Sequence, residues 1–174
     1  QRARSAWIAA AAFAVLAIAF AVGFVLRAPQ PPPVLRATLL PPEKTDFQWA
    51  AVSPDGTRLT FVGRSTDGTS KLWVRSLDAL SAQALSGTEG AFLPFWSADS
   101  RSLGFFTPDG KLKKMEAAGG PPITLCDTSA LARGGTWNRE GVVLFGTVGR
   151  NAIQRVSSAG GAATPVTKID EARK

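Results

Sequence analysis

The sequence predicts one N-terminal helix followed by a mainly β fold, and three observations lead to this prediction. Residues 6–26 are apolar and uncharged. A motif then recurs three times, and its corresponding residues Ser53, Ser97 and Asn138 are 44 and 41 residues apart. Short alternating apolar runs fill the intervals, and this texture at this period is typical of propeller blades. Because closed propellers have about 4–8 blades, we expect a single transmembrane helix followed by a partial β-propeller of about three four-stranded blades.

The apolar segment at 6–26 is predicted to cross a membrane. Its 21 residues span about 31 Å as a helix, which matches a hydrocarbon core about 30 Å thick. Trp7 lies near one end, where the interface favours tryptophan, and Arg27 follows the other end. A cleaved signal peptide is the alternative, although its apolar core has only about 7–15 residues. A soluble helix that is apolar on every face is the other alternative, and it needs a far larger protein around it.

Charge does not orient this segment. Arg2 and Arg4 precede it, while Arg27 and Arg36 follow it. Equal numbers of basic residues on the two sides leave the positive-inside rule without a preference.

The flanks of the segment are assigned as a cytoplasmic stub at residues 1–5 and a Pro-rich linker at residues 27–46. Residues 28–33 read Ala-Pro-Gln-Pro-Pro-Pro, a composition that forms an extended polyproline spacer. Residues 34–40 read as a short strand, and we hypothesise that this strand closes the propeller ring.

The three blades are assigned to residues 47–90, 91–134 and 135–174. The third copy ends in mid-repeat at Lys174, so the chain is expected to be a fragment of a larger propeller. The third copy also has about two residues fewer after its first turn. The apolar pairs expected at equivalent core positions are Leu59 and Phe61, Leu103 and Phe105, and Val142 and Leu144.

The recurring motif supplies the candidate site residues, and we interpret them as structural. Proline, aspartate and glycine favour tight turns for separate backbone reasons, and a tryptophan at or near one place per blade favours packing between blades. Asp55, Asp99 and Glu140 are equivalent, so a turn-forming role outweighs a catalytic one. In the second copy Ser100 replaces glycine, which leaves the turn type open. The turn and packing residues are Trp49, Ser53, Asp55, Gly56, Trp96, Ser97, Asp99, Trp137, Asn138 and Gly141.

Composition excludes several kinds of chemistry. The chain has no histidine, so it cannot contain a Ser-His-Asp triad, a histidine base or a histidine metal ligand. The single Cys126 cannot form an internal disulfide and lies in an apolar run typical of a buried thiol. We therefore expect no catalysis, no metal and no cofactor. The net charge of +7 does not indicate nucleic-acid binding, because no binding motif accompanies it.

The repeats resemble a known family. Trp-Ser-x-Asp before an aromatic strand resembles the TolB-like propeller, which is related to WD repeats. Several segments taken together are similar to the C-terminal region of certain bacterial transmembrane serine/threonine protein kinases. These segments are residues 94–97, 104–106, 110–114, 119–122, 124–127 and 133–138. In that family a cytoplasmic kinase domain precedes one membrane helix and the propeller lies outside. This chain carries no kinase signature itself.

We therefore expect a membrane-anchored, extracytoplasmic binding or sensor module, as the sensor part of a receptor-type kinase whose catalytic domain is outside this chain. The expected location is the inner (plasma) membrane, crossed once. The expected partners are the membrane and a protein, peptide or glycan on the propeller loops, with self-association through the helix and no nucleic acid. The alternatives are a non-signalling envelope scaffold of TolB-like type and a truncated gene remnant.

Overall fold

The computed structural model describes residue 7 and residues 13–21, 45–128, 132–148 and 152–168. The chain divides into two compact units, Gln1–Leu39 and Leu40–Lys174. In the first unit the described residues are helical and exposed. Among all described residues, no helix has the length and apolar character needed to cross a membrane.

Most of the predicted N-terminal features lie outside the described residues. These are the stub at 1–5, the remaining positions of the predicted span at 6–26, and the linker through residue 44 with its proposed closing strand at 34–40. The transmembrane helix and the closing strand therefore stay predictions.

The described part of the second unit forms twelve β-strands in three antiparallel sheets, which we call blades 1, 2 and 3. Blade 1 contains β1 (Thr45–Val52), β2 (Arg58–Ser65), β3 (Ser70–Ser76) and β4 (Gln83–Ala84). Blade 2 contains β5 (Phe92–Trp96), β6 (Ser102–Thr107), β7 (Lys111–Glu116) and β8 (Ile123–Asp127). Blade 3 contains β9 (Ala132–Trp137), β10 (Val142–Thr147), β11 (Gln154–Ser157) and β12 (Thr164–Pro165).

Within each blade the strands pair in chain order, so every blade is a four-stranded meander. This confirms the prediction of a mainly β chain with three four-stranded sheets that resemble part of a propeller. β9 begins at Ala132, ahead of residue 135, where the third blade was assigned to begin.

Two hydrophobic cores lie between the blades. Val62 and Leu72 of blade 1 pack against Leu103, Phe105 and other residues of blade 2. On the opposite face of blade 2, Phe106 and Leu112 belong to a second cluster with Val143, Phe145 and Val156 of blade 3. Blade 2 thus buries both of its apolar faces against neighbours, and blades 1 and 3 each bury one face against blade 2, as expected for stacked repeats that cannot fold alone.

The inner strands of blades 2 and 3 approach closely at one aromatic ring. Phe95 of β5 lies between Gly104 of β6 and Gly135 of β9, and a Cβ atom on either glycine would overlap the ring. On Gly135 the added atom would stand 2.6 Å from Phe95 Cε1. The two glycines therefore permit contact that no side chain would allow at these positions.

The predicted core pair of the third blade is wrong by one residue. Val143 and Phe145 are buried, whereas Val142 and Leu144 are only half-buried. The register pairs Trp137 with Val143, as it pairs Trp96 with Leu103. The third repeat is therefore one residue shorter at its first turn rather than two, and a one-residue shift moves a strand side chain to the other face of its sheet.

Candidate functional site

The first recurring motif forms a tight turn between β1 and β2, closed by its own polar groups. The backbone N–H of Ser53 donates to the carbonyl oxygen of Arg58 (2.8 Å), and that of Gly56 donates to the carbonyl of Ser53 (2.8 Å). The Ser53 hydroxyl donates to Asp55 Oδ1 (2.6 Å), and the same carboxylate oxygen accepts the backbone N–H of Thr57 (3.0 Å). Ser53 and Asp55 thus satisfy the backbone that reverses the chain.

The second turn repeats this plan and the third modifies it. Ser97 donates through Oγ to Asp99 Oδ1 (2.6 Å), which also accepts the backbone N–H of Arg101 (3.1 Å). In the third turn Asn138 accepts the backbone N–H of Val142 at its own side-chain oxygen (2.8 Å). Glu140 uses only its backbone N–H, which donates to Asn138 Oδ1 (3.1 Å).

The hydrogen bonds of the turns keep both aspartates ionised. Donation from the Ser53 hydroxyl, followed by donation from the Thr57 amide and hydroxyl, lowers the pKa of Asp55 to about 2. Donation from the Ser97 hydroxyl and then the Arg101 amide lowers the pKa of Asp99. Because each hydrogen bond favours the charged form, these carboxylates serve as fixed acceptors near neutral pH rather than as acids.

The fourth residue of each turn has a left-handed backbone. The φ angles are 71° at Gly56, 62° at Ser100 and 75° at Gly141. Ser100 therefore adopts the conformation that glycine adopts in the other two copies, which settles the turn type that the sequence left open. A residue with a Cβ in this region carries a conformational cost of about 1–2 kcal/mol.

Blades 1 and 2 are closed against each other at the turn end by Arg58. Its guanidinium carbon lies 5.1 Å from the centroid of the Trp96 ring, and Nη2 donates to the carbonyl oxygen of Ser100. The backbone N–H of Asp55 donates to Ser100 Oγ (3.1 Å), and Trp96 Nε1 donates to the carbonyl of Ala51 (2.9 Å). We call this set of contacts the 1–2 joint.

Blades 2 and 3 leave an open cleft at the same end, with a volume of about 300 Å³. Ser102 stands where blade 1 has Arg58, since the carbonyl of each accepts the backbone N–H of the first turn residue. Its side chain is too short to reach the next blade, and its hydroxyl donates to Glu116 Oε1 of its own blade (3.0 Å). We call the resulting space the 2–3 cleft. Its lining residues are Ser97, Ala98, Asp99, Ser102, Trp137, Asn138, Arg139, Gly141 and Ser158.

The structure brings half of the predicted residues into the 2–3 cleft. These are Ser97, Asp99, Trp137, Asn138 and Gly141. Four others belong to the first turn or the 1–2 joint, namely Ser53, Asp55, Gly56 and Trp96.

Trp49 does not share the position of the other two tryptophans. Trp96 and Trp137 directly precede their turns, whereas Trp49 stands at a β-bulge inside β1. Its ring is half exposed and lies 6.3 Å from that of Phe92, centroid to centroid. Trp49 therefore departs from the position that the other two tryptophans share, because a bulge sets its place. Its ring lies beside Phe92 of blade 2, and the packing role expected of it stays a prediction.

The bulge itself is a repeated feature that the sequence interpretation missed. Trp49, Leu93 and Gly134 each lie four residues before the first turn residue, and their φ angles are 33°, 50° and 113°. Glycine at one of the three positions is the only sequence signal for it. A second cleft of about 400 Å³ adjoins this bulge in blades 1 and 2, lined in part by Trp49, Arg64 and Phe92.

Within residues 45–128, 132–148 and 152–168, no three acidic or cysteine side chains are grouped to hold a metal ion. Cys126 is buried, as predicted, and burial raises the pKa of its thiol to about 11. The thiol therefore stays protonated and unreactive near neutral pH.

Comparison with solved structures identifies the architecture. The chain superposes on a protein assigned as TolB from Agrobacterium tumefaciens with a TM-score of 0.61 at 17% identity, over 69% of this chain and 46% of that chain. This is part of a TolB-like β-propeller fold. TolB from Acinetobacter baumannii gives a TM-score of 0.53 at 18% identity, over 70% of this chain and 33% of that one.

The TolB-like fold is also similar to the β-propeller domain of the Trilobed protease from Pyrococcus furiosus. The TM-score is 0.53 at 11% identity, over 71% of this chain and 44% of that one. The present chain thus spans less than half the length of each of the three structures. No protein-family model and no curated protein sequence matches it.

Proposed function

We propose that this chain is a membrane-anchored binding module that accepts a ligand in the 2–3 cleft. The observation that carries the proposal is the contrast between two equivalent places in the repeat. The 1–2 joint is closed by Arg58, whereas the 2–3 cleft has Ser102 there and remains open. The proposal assigns no catalytic step to the chain.

The lining of the 2–3 cleft suits a protein, peptide or glycan ligand. Trp137 supplies an aromatic face, and Asp99, Asn138 and Ser158 supply polar groups. The volume of about 300 Å³ lies at the small end of the range for ligand sites, about 300–1,000 Å³. Such a cleft accommodates one or two residues of a larger partner, while the turns that form its walls are held by their own hydrogen bonds.

The test uses the full chain reconstituted in lipid nanodiscs, presented to a phage-displayed random heptapeptide library and to an oligosaccharide array. The variant Ser102→Arg places in the 2–3 cleft the same residue type that closes the 1–2 joint. We expect the ligands selected by the natural chain to lose binding to Ser102→Arg. Ligands that bind both forms equally would place recognition elsewhere and overturn the proposal.

We further propose that this binding module is the extracytoplasmic sensor part of a receptor-type serine/threonine kinase in the inner membrane. The apolar residues 6–26 and the resemblance of residues 94–138 to such kinases support this. The test is the reading frame around the coding sequence. A kinase domain upstream and further blades downstream are expected, whereas a frame with neither would favour an anchored scaffold or a gene remnant.

A further inference from the structure

We infer that the 2–3 cleft takes the guanidinium group of an arginine carried by a peptide or protein partner. The inference rests on the proposed function and deepens it by naming the chemistry of the ligand. It derives from the repeat itself, because the corresponding space between blades 1 and 2 already holds a guanidinium.

The 1–2 joint shows what the repeat binds at this place. The Arg58 guanidinium lies over the Trp96 ring and donates to the backbone carbonyl of Ser100, the left-handed residue of the neighbouring turn. Arg58 also lies near Asp55 and contributes to keeping that carboxylate ionised. An aromatic face, a carbonyl acceptor and a carboxylate are the three partners that suit a planar cation.

The 2–3 cleft contains an aromatic face and a carboxylate at the positions that correspond to Trp96 and Asp55. Trp137 directly precedes its turn, as Trp96 does, and lines the cleft. Asp99 occupies the turn position of Asp55, and Gly141 occupies the left-handed position of Ser100. The Gly141 carbonyl already accepts the backbone N–H of Ser158 (2.7 Å), so a guanidinium can use only its second lone pair. The counterpart of the Arg58 guanidinium is missing from the cleft, because Ser102 stands in place of Arg58.

The surrounding charges favour a cation from outside. Across the β-ladder, Arg58 faces Ser76 in blade 1, whereas Ser102 faces Glu116 in blade 2 and donates to its carboxylate. At this ladder position blade 1 therefore carries a positive charge, on Arg58, whereas blade 2 carries a negative charge, on Glu116. Glu140 is a further anion in the adjoining turn.

Two cations oppose this balance. Arg139 lines the 2–3 cleft and is exposed, and Arg101 donates its backbone N–H to Asp99. An incoming arginine therefore meets the positive charge of the exposed Arg139 side chain at the wall of the cleft. The positive charge of Arg139 provides a direct test of ligand charge. Removal of this side chain should strengthen the binding of a cation and weaken that of an anion.

The experiment uses the full chain in nanodiscs with ¹⁵N-labelled tryptophan, so that each indole gives its own NMR signal. The probe is the tripeptide acetyl-Gly-Arg-Gly-amide. The matched probe replaces arginine with citrulline, which keeps the shape and removes the charge. We expect the arginine probe to shift the Trp137 signal, and the citrulline probe to bind about tenfold more weakly, since a charge-assisted bond is lost.

Three variants complete the design. Ser102→Arg should abolish the shift of Trp137, Arg139→Ala should tighten binding of the arginine probe, and Arg58→Ser should create a second arginine site that shifts Trp96. The inference is overturned if the arginine probe leaves Trp137 unshifted, or if citrulline binds as tightly as arginine. It is also overturned if Arg139→Ala weakens binding. Library ligands without arginine that still depend on the open cleft would overturn this inference alone and leave the proposed function standing.

Discussion

At the residue scale, the serine–aspartate pairs of the first two turns stabilise the fold through carboxylates that stay charged in the folded state. The pKa of Asp55 is lowered to about 2 by donors that exist only in the folded turn. A carboxyl group whose pKa is depressed on folding contributes stability above its unfolded pKa, and this contribution is lost as pH falls through the folded pKa. Stability supplied by Asp55 is therefore present at neutral pH and disappears between about pH 4 and pH 2.

Asp55→Asn tests this contribution. The amide cannot accept hydrogen bonds as a charged group does, so we expect a lower thermal midpoint at pH 7 and a flatter dependence of the midpoint on pH between about 4 and 2. Circular dichroism melts across that range measure both effects. Asp46→Asn is the control, because Asp46 is an exposed carboxyl on β1 outside the turn. Equal pH dependence in the natural chain and Asp55→Asn would contradict the role of Asp55.

The left-handed turn position shows what could and could not be predicted from single residues. Pro54-Asp55-Gly56 indicates a tight turn by its chemistry alone, and the turn is present. Ser100 gives no such signal, because serine rarely adopts a φ of 62°. Its conformation becomes explicable only in three dimensions, where Ser100 is buried, its hydroxyl accepts from Asp55 and its carbonyl accepts from Arg58. These hydrogen bonds from blade 1 offset the conformational cost of the left-handed backbone at Ser100.

At the element scale, the strand pattern was predictable but its register was not. Alternating apolar residues gave the strands of blades 1 and 2 and their buried pairs, Leu59 with Phe61 and Leu103 with Phe105. In blade 3 the run Val142–Phe145 is apolar throughout, so alternation cannot say which residues face blade 2. The register is set by the shorter turn at Asn138, whose side chain replaces the serine–aspartate pair.

The packing of the inner strands around Phe95 leads to a second test. Gly104→Ala and Gly135→Ala each place a methyl group against the Phe95 ring, and overpacking of this kind costs about 1–3 kcal/mol. We expect the free energy of unfolding in urea to fall by that amount in each variant. Gly146→Ala is the matched control, since its added Cβ would meet only Arg133 Cβ at an ordinary 3.8 Å.

Comparable unfolding energies for Gly104→Ala and Gly146→Ala would show that Phe95 moves freely and does not hold the blades together. Phe95→Leu in the Gly104→Ala background separates the two possibilities. If the clash is the cause, the smaller side chain should recover part of the lost stability.

At the scale of the whole molecule, the two interblade spaces differ in kind although the repeats that form them are similar. Both have an apolar core, but only the first is sealed at the turn end by a cation over tryptophan. The repeat period was enough to predict blades, and composition excluded histidine chemistry. The cleft was not predictable, because it depends on Ser102 and Trp137, which are distant in sequence and meet only when neighbouring blades stack.

The contacts of Arg58 predict how the 1–2 joint responds to mutation. Arg58→Ser removes the guanidinium from the Trp96 ring and leaves the Ser100 carbonyl without this donor. We expect a loss of about 1–2 kcal/mol in unfolding free energy, from one cation–π contact and one charged hydrogen bond at a partly exposed place. Urea denaturation followed by tryptophan fluorescence measures it. A lysine variant should recover only part of the loss, since an ammonium lacks the planar face. Full recovery by lysine would indicate that charge alone acts there.

The proposed location of the propeller outside the cytoplasm can be tested by cysteine labelling. Cys126 is buried and its thiol pKa is raised to about 11, so the natural chain should react little with maleimides. Leu80 lies between β3 and β4 and is 96% exposed, which makes Leu80→Cys an accessible reporter. We expect a membrane-impermeant maleimide to label Leu80→Cys in spheroplasts with an intact inner membrane, and to label the natural chain only after denaturation. Labelling of Leu80→Cys that requires lysis of the spheroplasts would place the blades in the cytoplasm, and the proposed sensor orientation would be wrong.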